Sequence, residues 1–220
     1  MIKRILALLF PEKCVLCRSI LEKNETDLCR NCRTETEELV REKFPIHFLA
    51  GWTALWYYKG NVRSSLLRFK FGGAAAYGTV YGRLLAMKLY REYPNGFDVL
   101  TWVPISPLRR WRRGYDHVAI IAQSVGKELG MAPVPLLKKI RNAPPQSNLR
   151  DSSRRKANVL GAFAVTDPSE VAGKRILLLD DIITTGATAS ECARMLLTAG
   201  AKEVSCAAVA AAPHDKKTVR

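Results

Sequence analysis

Residues 174–190 read KRILLLDDIITTGATAS. An aliphatic run, Ile176 to Leu179, meets two adjacent acids, Asp180 and Asp181. The turn Thr184-Thr185-Gly186-Ala187-Thr188 that follows has almost no side-chain bulk. A continuous aliphatic run is what a central strand of a parallel sheet requires, because such strands are buried on both faces. In open sheets of this kind ligands bind beyond the carboxyl ends of the strands, where helices begin. The strand is expected over 175–180, with both acids at its end. Neighbouring side chains of a strand point to opposite faces, so at least one acid reaches the crevice. The small-residue turn brings backbone N–H groups to the N-terminus of a helix expected over 189–199, a ready anion site. Threonine hydroxyls add donors, and Gly186 lets a phosphate approach the main chain. The stretch therefore suits a ligand with phosphate at one end and hydroxyls, or a hydroxyl-chelated metal, beside it. A sugar phosphate has that form.

Two other readings of the stretch are weaker. A Walker-B strand also ends in acids, but it needs a partner G-x-x-x-x-G-K-[ST], and the chain contains none. An ordinary strand followed by a capped helix accounts for one acid or one threonine. It does not account for two acids and three threonines.

The chain has 220 residues, enough for one ordinary domain with a small appendage, and its 48% hydrophobic and 25% charged content are those of a globular protein. No apolar run is long enough to span a bilayer. The start, Met1-Ile2-Lys3-Arg4 followed by an apolar run over 5–10, faintly imitates a signal peptide. It is too short, and Pro11-Glu12-Lys13-Cys14 is no small-residue cleavage site. A cytoplasmic protein without membrane insertion is expected. The formal net charge of +15 is unevenly spread: residues 109–156 hold 12 basic and 3 acidic side chains, whereas 157–220 hold 7 of each. A solvated face normally intersperses both signs, so a block of one sign points to a polyanionic partner. A surface built for solubility is the plainer alternative.

Cys14, Cys17, Cys29 and Cys32 form C-x2-C-x11-C-x2-C. Two such pairs bring four thiolates to one tetrahedral point, the geometry of a structural zinc site, with an iron–sulfur centre as the alternative. With all four positions filled by protein, the metal would be structural. Cys192 and Cys206, among alanines and leucines, read as buried inert thiols.

The rest alternates strands and helices. Strands are expected over 51–58, 98–103, 134–137, 175–180 and 203–210. Helices are expected over 62–69, 77–92, 115–129 (closed by Gly130) and 189–199 (closed by Gly200). Residues 141–156, with Ala143-Pro144-Pro145, read as a long functional loop. Strand–helix–strand units of these lengths imply right-handed crossovers and a parallel sheet. Three parts are expected: a zinc module over 1–48, an α/β domain over 49–212 and a polar tail over 213–220. The histidines His47, His117 and His214 read as surface residues.

The stretch ILLLDDIITTGATAS resembles the phosphoribosyl pyrophosphate (PRPP) motif of type I phosphoribosyltransferases. Further motifs narrow the resemblance to the ComF family, which is associated with DNA uptake in natural transformation. They are F-P-x-x-C-x-x-C with a second C-x-x-C over 10–32, Y-x-G-x-V-R over 58–63, R-G-[FY]-[ND]-[QH] over 113–117, Q-S-x-L over 146–149 and R-x-x-N-x-x-G-A-F over 155–163. The resemblance implies a parallel sheet flanked by helices with a small N-terminal zinc-binding module. It implies that Asp180 and Asp181 hold the ribose hydroxyls, that Thr184, Thr185, Gly186, Ala187 and Thr188 cradle the 5′-phosphate, and that Mg²⁺ accompanies PRPP. It also places a pyrophosphate loop at Pro104, Ile105, Ser106 and Pro107, where a simple Pro-rich turn is the alternative.

Two functions fit these residues. One is a competence protein that binds single-stranded DNA and PRPP, with other competence or DNA-processing proteins as partners. The other is a metabolic phosphoribosyltransferase whose basic segments serve its own substrate. PRPP needs few cations, whereas Arg109, Arg110, Trp111, Arg112, Arg113 and Tyr115 interleave arginine with aromatic rings, which suits a groove that tracks a single strand. A basic surface for DNA is expected from these residues with Lys138, Lys139, Arg141, Arg150, Arg154, Arg155 and Lys156.

Overall fold

In the computed structural model, residues 11–39, 44–141 and 159–213 are described. The first apolar run, the 146–149 motif, Arg150, Arg154, Arg155, Lys156 and His214 lie outside the described residues. Four parallel strands form the main sheet in the order β1 (Gly51–Tyr57), β6 (Glu203–Ala211), β5 (Arg175–Ile183), β2 (Val99–Trp102). β5 and β6 are central, and the registered pairs along their middle, such as Leu177 with Ser205 and Leu179 with Ala207, are buried. The aliphatic run is thus covered on both sides, as its composition requires. A two-stranded antiparallel ribbon, β3 (Leu137–Lys139) with β4 (Phe163–Val165), stands beside the sheet. The strand expected over 134–137 begins only at Leu137, because Pro135 lacks the N–H that a ladder needs.

Six α-helices are described: α1 (Arg30–Glu35), α2 (Gly60–Phe71), α3 (Tyr77–Glu92), α4 (Pro107–Arg113), α5 (His117–Leu129) and α6 (Ala187–Thr198). The apolar sides of α2, α3 and α5 pack with Leu177, Leu179, Ala207 and Val209 in one core cluster. α6 packs with Ile176, Leu178, Val204 and Cys206 in a second. The helices α3 and α5 approach closely because Gly82 carries no side chain: a Cβ there would lie 2.3 Å from the Ser124 Cβ. Cys192 and Cys206 are buried, as their surroundings in sequence suggest.

The cysteine module is built into this core. Cys14, Val15, Leu16, Leu28, Cys29 and Cys32 belong to the same buried cluster as Leu66, Phe69 and Tyr81. From α2, Ser65 donates to the Val15 carbonyl and Arg68 to the Leu16 carbonyl. From α3, Arg83 pairs with Asp27 and Lys88 donates to the Leu39 carbonyl at 2.9 Å. No helix among the described residues is long and apolar enough to cross a membrane.

Candidate functional site

β5 continues to Ile183, bonded to β6 as far as Ala211, so the two acids are strand residues and not the strand's end. Both line one cavity of about 180 Å³, where alternation alone would divide them. The cause is the neighbouring strand. β2 stops opposite Leu179, where the Val103 N–H donates to the Leu179 carbonyl, and beyond that step β5 has an uncovered edge. The cavity wraps around this edge and is reached from either face of the strand.

Asp181 is engaged from two helices. Lys70, in the last turn of α2, puts Nζ 2.8 Å from Oδ2. His117, the first residue of α5, bonds the same oxygen through Nε2. The motif over 113–117 explains that placement. Arg113 ends α4, Gly114 turns the chain with φ 78°, the Tyr115 hydroxyl donates to the Phe69 carbonyl, and the Asp116 carboxylate caps α5 by accepting from Val118 and Ala119 at 3.1 Å. His117 is therefore buried at 2% exposure against the sheet, not on the surface. Arg113 Nη1 lies 2.9 Å from its Nδ1.

The two acids differ electrostatically. Burial and the adjacent Asp181 push the Asp180 carboxyl up to about 8. Burial also opposes charge on Asp181, but Lys70 and the His117 hydrogen bond outweigh it and hold that carboxyl well below the usual range. Arg109, Arg113 and Lys139 join Lys70 on the cavity wall, so the described lining has four cations around two acids. Burial, with Arg109 nearby, lowers the Lys139 ammonium.

Of the proposed pyrophosphate loop, Pro104 and Ile105 line the cavity, Ser106 caps α4, and Pro107 is already its first residue. Proline at that position needs no N–H partner, which is why a helix starts where the sequence suggested a turn. On the other side, Gly186 sits at φ 72° as the cap of α6, and Ala187 and Thr188 form that helix's first turn. Thr184 is exposed, Thr185 Oγ1 accepts from the Ala187 N–H at 3.4 Å, and Thr188 reaches the cavity. Gly186 has a packing role too, since a Cβ there would lie 2.7 Å from Ile46 Cδ1.

The basic residues divide between two places. Arg109, Arg113 and Lys139 face the acidic cavity, while Arg110, Arg112 and Lys138 are exposed. Trp111 is 80% exposed, so its ring stands in solvent and takes no part in the core. Arg141 donates to the Leu160 carbonyl at 2.6 Å. Lys70 and His117 are the residues that sequence reading missed. His117 was visible in its motif, but nothing local marks Lys70.

In the cysteine module the four Sγ atoms lie within 4.8 Å of one another, and all four cysteines are free. Such a set of four soft donors fits zinc. Burial and the neighbouring thiols raise Cys32 far above its ordinary value, a cost of charge that a bound cation reverses. Ser19 N–H at 3.5 Å from Cys17 Sγ and Asn61 Nδ2 at 4.0 Å from Cys32 Sγ surround the sulfurs with donors.

A double zinc ribbon domain matches residues 5–44, and a phosphoribosyl transferase domain matches residues 112–220. Competence protein F of Haemophilus influenzae is 30% identical, over 89% of this chain and 95% of its own length. Competence protein ComFC of Bacillus subtilis is 27% identical, over 90% and 83%. DNA utilization protein YhgH of Escherichia coli K12 is 28% identical, over 62% and 61%. With a zinc ribbon ahead of a phosphoribosyltransferase-type parallel sheet, and with this similarity along nearly the whole of both chains, the protein belongs to the ComF family.

Proposed function

We propose that this protein serves DNA uptake, binding PRPP with Mg²⁺ at the acidic pair and single-stranded DNA on the basic surface that borders it. The observation that carries the first part is the juxtaposition of Asp180 and Asp181 with Thr188 and four cations in one cavity at the carboxyl edge of the sheet. Carboxylates there can accept from ribose hydroxyls, and the cations can neutralise a diphosphate. The amides of the α6 N-terminus and the threonines of 184–188 suit a 5′-phosphate. Mg²⁺ takes oxygen ligands, commonly one or two carboxylates together with substrate phosphates, and would supply charge neutralisation at the diphosphate. Asp180 fits that role, because Asp181 is already held by Lys70 and His117. The His117 imidazole keeps Asp181 oriented, and Pro104 and Ile105 bound the diphosphate end.

The second part is supported by the names of the relatives, competence proteins and a DNA utilization protein, and by Arg110, Trp111 and Arg112 standing in solvent beside the cavity. Calorimetry with PRPP and Mg²⁺, and filter binding of a labelled single strand at several salt concentrations, test the two parts separately. Saturable PRPP binding lost in Asp180→Ala is expected. Strand affinity should fall with salt by a slope of about −0.7 per phosphate contacted. A salt-insensitive strand signal, or none at micromolar protein, would leave a metabolic phosphoribosyltransferase without a DNA role.

A further inference from the structure

A second cavity, of about 600 Å³, adjoins the acidic one. Its wall combines three aromatic rings, Tyr58, Phe71 and Tyr115, with the cations Lys70, Arg109, Arg112 and Arg113. No acid lines it among the described residues. Phe71, the last residue of α2, is 70% exposed, a large ring left mostly in solvent at the mouth of the cleft. The Arg113 guanidinium stands 5.0 Å from its centroid. Tyr115 is fixed by its bond to the Phe69 carbonyl, so its ring is held in place as a wall.

The geometry points to a nucleotide subsite: one base of a single strand stacks on the exposed face of Phe71, away from Arg113, and its phosphate is met by Arg112 together with the cations that line both cavities. This deepens the DNA part of the proposed function and rests on it. The reason is chemical. A groove for an anion alone needs cations but no exposed ring, and a docking site for an apolar segment would not carry four cations. Rings together with cations match a ligand that alternates π-faces with phosphates. Sequence reading placed Tyr115, Arg112 and Arg113 in a DNA surface but not Tyr58 or Phe71, which enter from β1's end and from α2.

The two cavities share Lys70, Arg109 and Arg113. A diphosphate in one and a strand phosphate in the other draw on the same three cations, so the two ligands oppose each other. By linkage each must weaken the other by the same factor.

The test uses the full chain, an oligothymidylate of about 12 nucleotides, and fluorescence anisotropy. Phe71→Ala should weaken strand binding by roughly 5- to 150-fold, the loss of one stacked base, while Phe71→Trp retains it. PRPP affinity should be unchanged in both, because Phe71 does not line the acidic cavity. Saturating PRPP and Mg²⁺ should raise the strand dissociation constant of the wild type. If the wild type shows no salt-sensitive strand binding, the DNA reading falls and the subsite with it. If the wild type binds but Phe71→Ala binds equally well, the subsite alone is overturned. A strand affinity indifferent to PRPP overturns the sharing of cations. Displacement by thymidine monophosphate at an equal nucleotide concentration would assign the cleft to a free nucleotide and overturn the strand.

Discussion

Lys70 Nζ lies 2.8 Å from Asp181 Oδ2, joining the last turn of α2 to the carboxyl edge of β5 at a site where both side chains are largely buried. The same α2 holds the carbonyls of Val15 and Leu16, between Cys14 and Cys17, through Ser65 and Arg68. One helix therefore ties the cysteine cluster to the acidic pair. Lys70→Ala leaves Asp181 short of its cation and should destabilise the fold by about 3–5 kcal/mol, the cost of breaking a buried pair. Lys70→Arg should recover part of it, and urea titration of the two variants checks this.

The acidic pair gives the ligand-free protein a stability profile with two limbs. Asp181 titrates below its unfolded value, so its contribution is fully present above about pH 4 and is lost as pH falls further. Asp180 titrates above its unfolded value, at about 8, so the folded state keeps a proton that the unfolded state has released. From about pH 4 up to that value it subtracts stability, on the order of 1 kcal/mol per pH unit. Asp180→Asn removes that falling limb. Its thermal midpoint should rise relative to wild type, and more at pH 8 than at pH 5. An equal change at both values would show that Asp180 is ionised in the folded protein.

Gly186→Val should be harsher than a change at Thr184. The position has φ 72°, and a Cβ there meets Ile46 Cδ1 at 2.7 Å. Backbone strain of about 1–3 kcal/mol is expected, with further loss as Ile46 shifts. Thermal melting should show the destabilisation, and calorimetry a weakened PRPP affinity. Thr184→Ala, at an exposed position, should melt close to wild type.

Elemental analysis should find about one zinc per chain, since four thiolates fill a tetrahedral shell. Cys14→Ser should lower the stability of the whole protein in a single transition, because Cys14, Val15 and Leu16 share a core with Leu66, Phe69 and Tyr81. A variant that loses its zinc yet melts at the wild-type temperature would separate the two parts. Chelation should also weaken PRPP binding, through the displacement of α2 and Lys70.

Trp111→Ala should leave stability within about 0.5 kcal/mol of wild type, because the ring is 80% exposed. Its strand affinity should fall by about 1–3 kcal/mol with an unchanged salt slope, while Arg112→Ala should flatten the slope by about 0.7. Arg113→Ala should reach further, since Arg113 also contacts His117 at 2.9 Å and faces the acidic cavity. Filter binding across salt concentrations separates the three variants.

The parallel sheet, the strand that carries the acidic pair and the metal-binding cysteines were legible in the chain because each is a local pattern. An aliphatic run such as Ile176 to Leu179 can be buried on both faces only in a central strand, and two C-x2-C pairs can converge on one point wherever they lie. Helix ends at Gly130 and Gly200 followed from backbone chemistry alone, although α4 did not, since Pro107 serves a helix start as well as a turn. What only the tertiary structure decided is which distant side chains meet. The early stop of β2 uncovers the edge of β5 and puts both acids in one cavity, against the alternation of the strand. The last turn of α2 and the first residue of α5 reach that edge and bring Lys70 and His117 to a single carboxylate oxygen. The motif over 113–117 marks His117 and nothing local marks Lys70, yet neither shows its partner, because the attraction between them and Asp181 acts across space and is set by how the helices pack on the sheet.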